Sequence, residues 1–412
     1  MYQPRILMVL IPLLSIVSLC SGADRRIDLS RLTLATFNAR FLFDGRPPEG
    51  EAGFPWKGDP SAARRHLREI AVVLRGVDAD LLHLSEVENI ETLERLVLEI
   101  GDPTYRAFLI PGRDDFTRQN VGILSRIDLD APLRRSDLQS TGPMGEIPHG
   151  VSKNYAARIT AGKLHLSLVG VHLLAFPDDP ERAPRREGQA EVVRQLAAEE
   201  GTHRRRFPIV LGDFNDLDPG IVDPSGKTPI TRVLEIIKQV DPQCPGDDLI
   251  NPAKMLSPTE RYTAFFDRNH NGMDDGLKER SLTDHILLPR SLAPAIVAIE
   301  VFSHHDPMGP SDHFPLKVTL DLSSLKLFLR GDSDHNLLLD EGDALAILKH
   351  LFAGKALSCI DAADVNDDGR VSLTDVVYLL HFIYRDGPAP PEPSSALPGK
   401  DPTADSIGCG GL

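Results

Sequence analysis

Past its first twenty residues, this 412-residue chain has no apolar run long enough to span a bilayer, so no transmembrane anchor is expected in its body. Cysteine is scarce. Beyond Cys20 only Cys244, Cys359 and Cys409 occur, which permits one disulfide with one thiol left over. Positive charge is in deficit, with 45 Lys+Arg against 60 Asp+Glu and a net charge of −15, which argues against a broad basic groove for nucleic acid but leaves room for a local patch. No serine or cysteine stands in a strand-turn-helix elbow, and no helix carries paired histidines at zinc-binding spacing. Serine and cysteine nucleophiles and the common zinc-hydrolase motif are therefore set aside.

At the N-terminus Arg5 precedes an apolar stretch from Ile6 to Leu19, followed by "CSGAD" with small residues at cleavage positions. This reads as a secretory signal over residues 1–22 and implies a secreted protein. Acylation of Cys20 is the alternative, disfavoured because Leu19 is bulky for that processing. An oxidising compartment would permit a disulfide, and Cys359 and Cys409, which bracket a C-terminal segment, are the expected pair; three unpaired buried cysteines are the plain alternative.

From Leu32 to Leu322 short aliphatic runs alternate with amphipathic stretches. "LTLATFNARFL", "LLHLSEVEN", "LHLSLVGVHLL", "FPIVLGDFND", "LTDHILLP" and "FPLKVTLDL" read as strands, and "PSAARRHLREIAVVLRGV" and "PRREGQAEVVRQLAAEEG" as helices that begin after Pro and end at Gly. That alternation predicts sheets covered by helices. After Ser324 the pattern changes to two copies of an acidic loop followed by an amphipathic helix, starting at Asp332 and Asp364. The Pro/Gly-rich end reads as an extended or disordered tail. Residues 326–412 hold 7 Lys+Arg against 14 Asp+Glu, so the acidity is concentrated there.

The strand ends carry Asn38, Glu86, His172, Asp213, Asn215, Asp284, His285, Asp312 and His313. Singly, each has an ordinary explanation as a cap or an Asx turn. Sheet packing would bring them to one edge, and together they suit one chemistry. A hard divalent ion takes carboxylate and amide oxygens such as those of Glu86, Asp312 and Asn38 and keeps positions open for water and phosphate. Two histidines supply a base and an acid near neutral pH. Metal-assisted attack of water on a phosphodiester ranks first.

The ordered set "TFNARFL", "LLHLSEVEN", "VGVHLL", "VLGDFND", "TDHILL" and "SDHFPLKV" resembles the endonuclease/exonuclease/phosphatase superfamily, deoxyribonuclease I among its members, and most resembles its secreted bacterial nucleases. The resemblance implies a four-layer α/β sandwich, two packed mixed β-sheets flanked by helices, over residues 24–325. It further implies Mg²⁺ (or Mn²⁺) held by Glu86 with Asn38 and Asp312. His313, oriented by Asp284, would be the base, and His172 would assist the leaving oxygen. Asn215 would hold a phosphoryl oxygen and Asp213 would position the nucleophile or a second metal. Arg40 resembles the deoxyribonuclease arrangement, and Lys153 is the nearest candidate for a phosphate contact, as a point charge. No carboxylate partner for His172 is visible in the sequence, and His285, adjacent to Asp284 on a strand, should face the other way.

Three stretches have calcium-loop spacing. In the C-terminal repeats the candidate ligands are Asp332, Asp334, Asn336, Asp340 and Asp343, then Asp364, Asn366, Asp368, Ser372 and Asp375. Their duplication and terminal Asp resemble dockerin modules, which implies a small α-helical domain over residues 326–412, Ca²⁺-dependent folding and a cohesin-like partner. A self-contained calcium-stabilised tail is the alternative. Leu337 stands where Gly369 turns the second loop, so weaker binding is expected in the first. The third stretch offers Asp267, Asn269, Asn271 and Asp275 around Gly272 but has Lys278 at the twelfth position, so a calcium site and a polar hairpin both remain open. The functional expectation is a nuclease acting on DNA or RNA, with a phospholipid or phosphoinositide hydrolase and a catalytically silent scaffold component as alternatives.

Overall fold

The computed structural model describes residues 22–203, 206–240, 248–393, 398–403 and 405–409. The expected signal segment with Cys20, and Cys244, lie outside the described residues apart from Gly22.

Strands follow the aliphatic runs. In chain order they are β1 (Arg31–Leu42), β2 (Leu81–Val87), β3 (Arg106–Leu109), β4 (Asn120–Ser125), β5 (Asn154–Ala161), β6 (Leu164–His172) and β7 (Phe207–Asp213). Then come β8 (Leu249–Ile250), β9 (Ala264–Phe265), β10 (Arg280–Ser281), β11 (Asp284–Pro289), β12 (Ile296–Val301) and β13 (Leu316–Asp321). The helices are α1 (Pro60–Val77), α2 (Ile90–Ile100), α3 (Ala183–Ala198), α4 (Val233–Lys238), α5 (Glu341–Ala353), α6 (Ile360–Ala363) and α7 (Leu373–Arg385).

One mixed sheet runs β12-β13-β1-β2-β4-β3 and a second runs β5-β6-β7-β11-β8. Because strand side chains alternate between faces, each sheet offers two apolar surfaces, and both are covered. Leu34, Leu81 and Ile123 of the first sheet meet Leu166, Ile209 and Ile286 of the second in the central core. On the outer faces, Ile70, Leu74 and Leu96 of α1 and α2 cover Phe37 and Leu84, while Val193, Leu196 and Ile237 of α3 and α4 cover Val169 and Val210. The order is helix, sheet, sheet, helix.

The first expected helix forms over the residues expected, and the second differs at its ends. α1 is capped by Asp59, which accepts from the Ser61 and Ala62 amides, and it continues through Gly76 to a left-handed Asp78. Val77, buried against the sheet, draws the helix past the glycine. α3 likewise passes Gly188 and gives way to a π turn over Glu199–His203.

The repeats form their own small core of Ala344, Ile347, Ala363, Val365, Val376 and Leu379. Leu325 and Leu327 still belong to the central core of the sandwich, so the chain leaves it just past the boundary expected from composition. The C-terminal segment, expected to be extended or disordered, is packed where it is described. Gly399 bridges to Phe328, and Cys359 and Cys409 are joined in a disulfide.

Candidate active site

The strand register builds the site. In the second sheet His172 on β6 pairs in register with Asp213 on β7, and Asp213 with Asp284 on β11. β11 runs antiparallel to β7, so Asp284 stands at the start of its strand, whereas His172 and Asp213 end theirs. Across the sandwich, β1 and β2 run parallel and bring Asn38 and Glu86 to the same end. Gly212 makes the close approach possible. Its φ is +142°, and a Cβ there would lie 1.9 Å from the Val171 carbonyl oxygen.

A cleft of about 810 Å³ opens over this end, lined by Asn38, Glu86, His172, Asp213, Asn215, Asp312 and His313 among others. Asp284 lies behind it. Its Oδ2 accepts from His313 Nδ1 at 2.7 Å, which turns Nε2 toward the cleft, 3.9 Å from Asp213 Oδ2. The Asn38 Nδ2 group bridges Glu86 Oε1 at 3.2 Å and Asp213 Oδ2 at 3.0 Å, while its Oδ1 accepts from the Arg40 amide. In this orientation Asn38 presents its donor to the two carboxylates and bridges them. The Phe41 amide donates to Glu86 Oε2 at 2.9 Å. Glu86 itself has φ +62°, in the left-handed region that non-glycine residues seldom adopt.

β7 ends at Asp213, so Asn215 lies beyond the strand. Asn215 sits in a turn at φ +47°, its amide donating to Asp213 Oδ1 at 2.9 Å and its side-chain NH₂ to the Leu173 carbonyl at 3.2 Å. An Asx turn thus brings both residues to the cleft. Phe214 points away, fully buried and edge-on to His285. His285 also faces away, its Nε2 bonded to the Asp216 carbonyl.

The surroundings of the two histidines push their charge in opposite directions. Burial pulls His313 down, but the charge and hydrogen bond of Asp284, with Asp213 and Asp312, outweigh it and hold the imidazole at about 10. The surrounding carboxylates thus favour its protonated form. His172 is held well below its ordinary value by burial and by Lys153, His313 and His83, so it is neutral. Its Nε2 lies 3.7 Å from Asp213 Oδ2, and its buried Nδ1 has no partner. Burial and the charge of Asp284 push Asp213 above the usual carboxylate range. Burial, together with Asp312 opposite, does the same to Glu86.

Lys153 and Arg40, the two expected substrate contacts, have different surroundings. Lys153 is buried with its Nζ on Asp114 Oδ2 at 3.1 Å, and it does not line the cleft. Once buried, the ammonium needs a carboxylate partner to offset its lost hydration. Arg40 lies beside the cleft, its Nε 4.0 Å from Asp312 Oδ1.

The sequence reading missed several supports. Ser311 Oγ donates to the Asn38 carbonyl at 2.7 Å and accepts from the His313 amide, locking "SDH" against β1. Asp216 is buried on Arg186 at 3.0 Å, and Arg186 also donates to the Phe176 and Pro177 carbonyls. This holds Phe176 at the cleft, where Lys227, Phe266, Arg268 and His270 are also among the lining residues. No local pattern marks these five residues, because their distance from the site in sequence is bridged only by folding.

The loop after β9 also closes on itself. Asp267 accepts from the Asn271 and Gly272 amides, and buried Glu279, one place beyond Lys278, accepts from the Arg268 and Asp275 amides at 3.0 Å. The repeats show the same pattern, in which Asp343 accepts from Ser333 and Asp340, and Asp375 from Asn366 and Ser372.

A two-sheet α/β sandwich whose edge gathers carboxylates and a carboxylate-bound imidazolium defines a metal-dependent phosphoester hydrolase. The chain belongs to the Endonuclease/Exonuclease/phosphatase family, whose profile matches residues 35–313. Among solved structures it is similar to an AP endonuclease from Archaeoglobus fulgidus, at 18% identity over 70% of this chain and 99% of that one, with a TM-score of 0.46. An endonuclease/exonuclease/phosphatase family protein from Leptotrichia buccalis C-1013-b gives 14% identity over 70% and 98%, with a TM-score of 0.47. A humanized D. rerio TDP2 carrying 14 mutations gives 16% identity over 70% and 98%, with a TM-score of 0.44. A search of curated proteins gave no match.

Proposed function

We propose that this protein is a secreted phosphodiesterase that cleaves nucleic acid. The observation that carries the substrate class is the composition of the cleft wall facing the carboxylates. Phe176 and Phe266 are 61% and 39% exposed there, with Lys227 and Arg268 beside them. Exposed rings next to cations form a platform on which bases stack while the backbone is held electrostatically. This local patch offsets the overall acidity of the chain.

Glu86 and Asp312 line one cleft with oxygen donors only, and burial together with the charge of Asp312 raises the Glu86 carboxyl. A hard divalent cation, Mg²⁺ or Mn²⁺, fits that donor set and offsets its charge. When bound it neutralises charge on the phosphoryl group. Asp213, raised toward neutrality and adjacent to Asn215, takes the proton of the attacking water. The His313 imidazolium, held by Asp284, faces the phosphoryl oxygens and donates to the charge that develops there. Neutral His172 orients the group between itself and Asp213, and the free N–H of Asn215 holds a phosphoryl oxygen.

The two C-terminal loops and the loop after β9 bind Ca²⁺ in this reading, supported by one hydrogen-bond pattern recurring three times. The repeats form a dockerin-like module over residues 326–412 that engages a cohesin-like partner.

The test uses the full chain with Mg²⁺ on duplex DNA, single-stranded DNA, RNA and sphingomyelin, beside Glu86→Gln, His172→Ala and His313→Ala. Cleavage of nucleic acid, abolished by Glu86→Gln and weakened by Phe176→Ala through KM, is expected. Turnover of lipid alone would remove the nuclease assignment, and turnover of nothing would favour the scaffold role.

A further inference from the structure

The C-terminal segment does more than cover the repeats. Its return across Phe328, together with the Cys359–Cys409 disulfide, carries Asp401 and Asp405 against Asp361 of α6. One carboxylate oxygen from each of the three lies within 4.8 Å of the other two. Asp361 is only 5% exposed, and its enclosed Oδ1 has no hydrogen-bond partner. Its other oxygen lies 3.8 Å from Cys409 Sγ, which in a disulfide has no proton to donate.

Charge around this point is unbalanced. Asp364 and Asp367 of the second loop are adjacent, and Asp405 comes within the same 4.8 Å of both. Arg330 is the cation shared by the ion pairs of the group. Its Nη2 reaches Asp401 at 2.7 Å and Asp367 at 3.0 Å, while Nη1 is spent on the Asp361 and Asp364 carbonyls. A single guanidinium thus pairs with two of five neighbouring carboxylates, and the carboxylate of buried Asp361 receives none of its N–H groups. Burying a carboxylate without a donor or counter-ion is strongly unfavourable.

We propose that Asp361, Asp401 and Asp405 bind a divalent cation, distinct from any ion in the two repeat loops, that fastens the C-terminal segment to the second loop. The donors are all carboxylate oxygens, and Asp405 is exposed, so water completes the coordination sphere. That combination selects a hard ion tolerant of irregular geometry, Ca²⁺. Thr403 Oγ donates to Asp367 Oδ2 at 2.7 Å, so the segment already rests on the second loop and the ion closes the contact.

The measurement is the number of Ca²⁺ bound per full-length chain, by equilibrium dialysis of metal-stripped protein, for wild type, Asp361→Asn and Asp405→Asn. Each variant is expected to bind one ion fewer than wild type. Calcium should also slow tryptic cleavage at exposed Lys400 in the wild type and not in the variants. An unchanged count in Asp361→Asn would overturn the proposal. So would a loss in Asp405→Asn alone, because the ion would then belong to the second loop. Should Asp361→Asn fail to fold, Asp401→Asn replaces it under the same criteria.

Discussion

Asp284 shows how one residue sets the chemistry of another without lining the cleft. Its Oδ2 holds His313 Nδ1 at 2.7 Å, and its charge is the largest influence raising that imidazole to about 10. Asp284→Asn removes the charge and keeps the shape. The His313 titration, followed by NMR, should move down, and kcat should fall by about 10²- to 10⁴-fold. His66 makes a separate prediction about stability. It stacks on Trp56 with ring centroids 3.7 Å apart and donates from Nε2 to the Ala39 carbonyl, and burial lowers it to about 4. In the unfolded chain it takes a proton near its ordinary value of 6.5. The unfolded state therefore binds more protons between those values, and stability falls as pH drops from 6.5 toward 4. The loss from this group is on the order of 3 kcal/mol. Urea titrations at pH 7 and pH 4.5 should show it, and His66→Gln should flatten the difference.

At the scale of elements, the junction of β6 and β7 carries the most constraint. Gly212→Ala places a Cβ 1.9 Å from the Val171 carbonyl oxygen at a φ of +142°, where an L side chain is strained. The strands must separate next to His172 and Asp213. A destabilisation of about 3 kcal/mol or more is expected, with activity lost before unfolding, read by thermal melts beside kcat. In the first repeat loop Leu337 does adopt φ +64°, close to the +79° of Gly369, so the expected resistance appears as a strained conformation and not as a different loop. The left-handed region costs a non-glycine residue about 1–2 kcal/mol. Leu337→Gly should tighten Ca²⁺ binding by the first loop several-fold, measured by calorimetry, with the second loop unchanged. The strands named from sequence were legible because their apolar runs are long and bounded by polar residues. β3, β4, β5 and β12 were not named: β3 and β12 are half-exposed edge strands without that contrast, while β4 and β5, though largely buried, carry shorter aliphatic runs.

For the whole molecule, the sandwich and the repeats have separate cores, joined through Leu325 and Leu327. If the repeats hold Ca²⁺, chelation with EGTA should lower a melting transition belonging to residues 328–409 and leave the sandwich transition within a few degrees, as differential scanning calorimetry would resolve. Cleft activity with Mg²⁺ restored should survive that treatment. Loss of both transitions together would mean that the linking leucines couple the two cores.

The residue types at the strand ends, their order along the chain and the two acidic repeats were determined by the sequence alone, because motif spacing and periodicity are local properties. Glu86, Asp213, Asn215, Asp312 and His313 could be grouped on that basis, and they do line one cleft. Protonation could not be read there. Whether His313 or His172 carries charge depends on which carboxylates burial brings near each ring, and contacts such as Asp284 to His313 or Lys153 to Asp114 span 29 and 39 positions. The same holds for the cleft wall and for the Asp361 cluster at the C-terminus. Electrostatic energy depends on distance and on exclusion of water, and both quantities come into being only when distant segments pack.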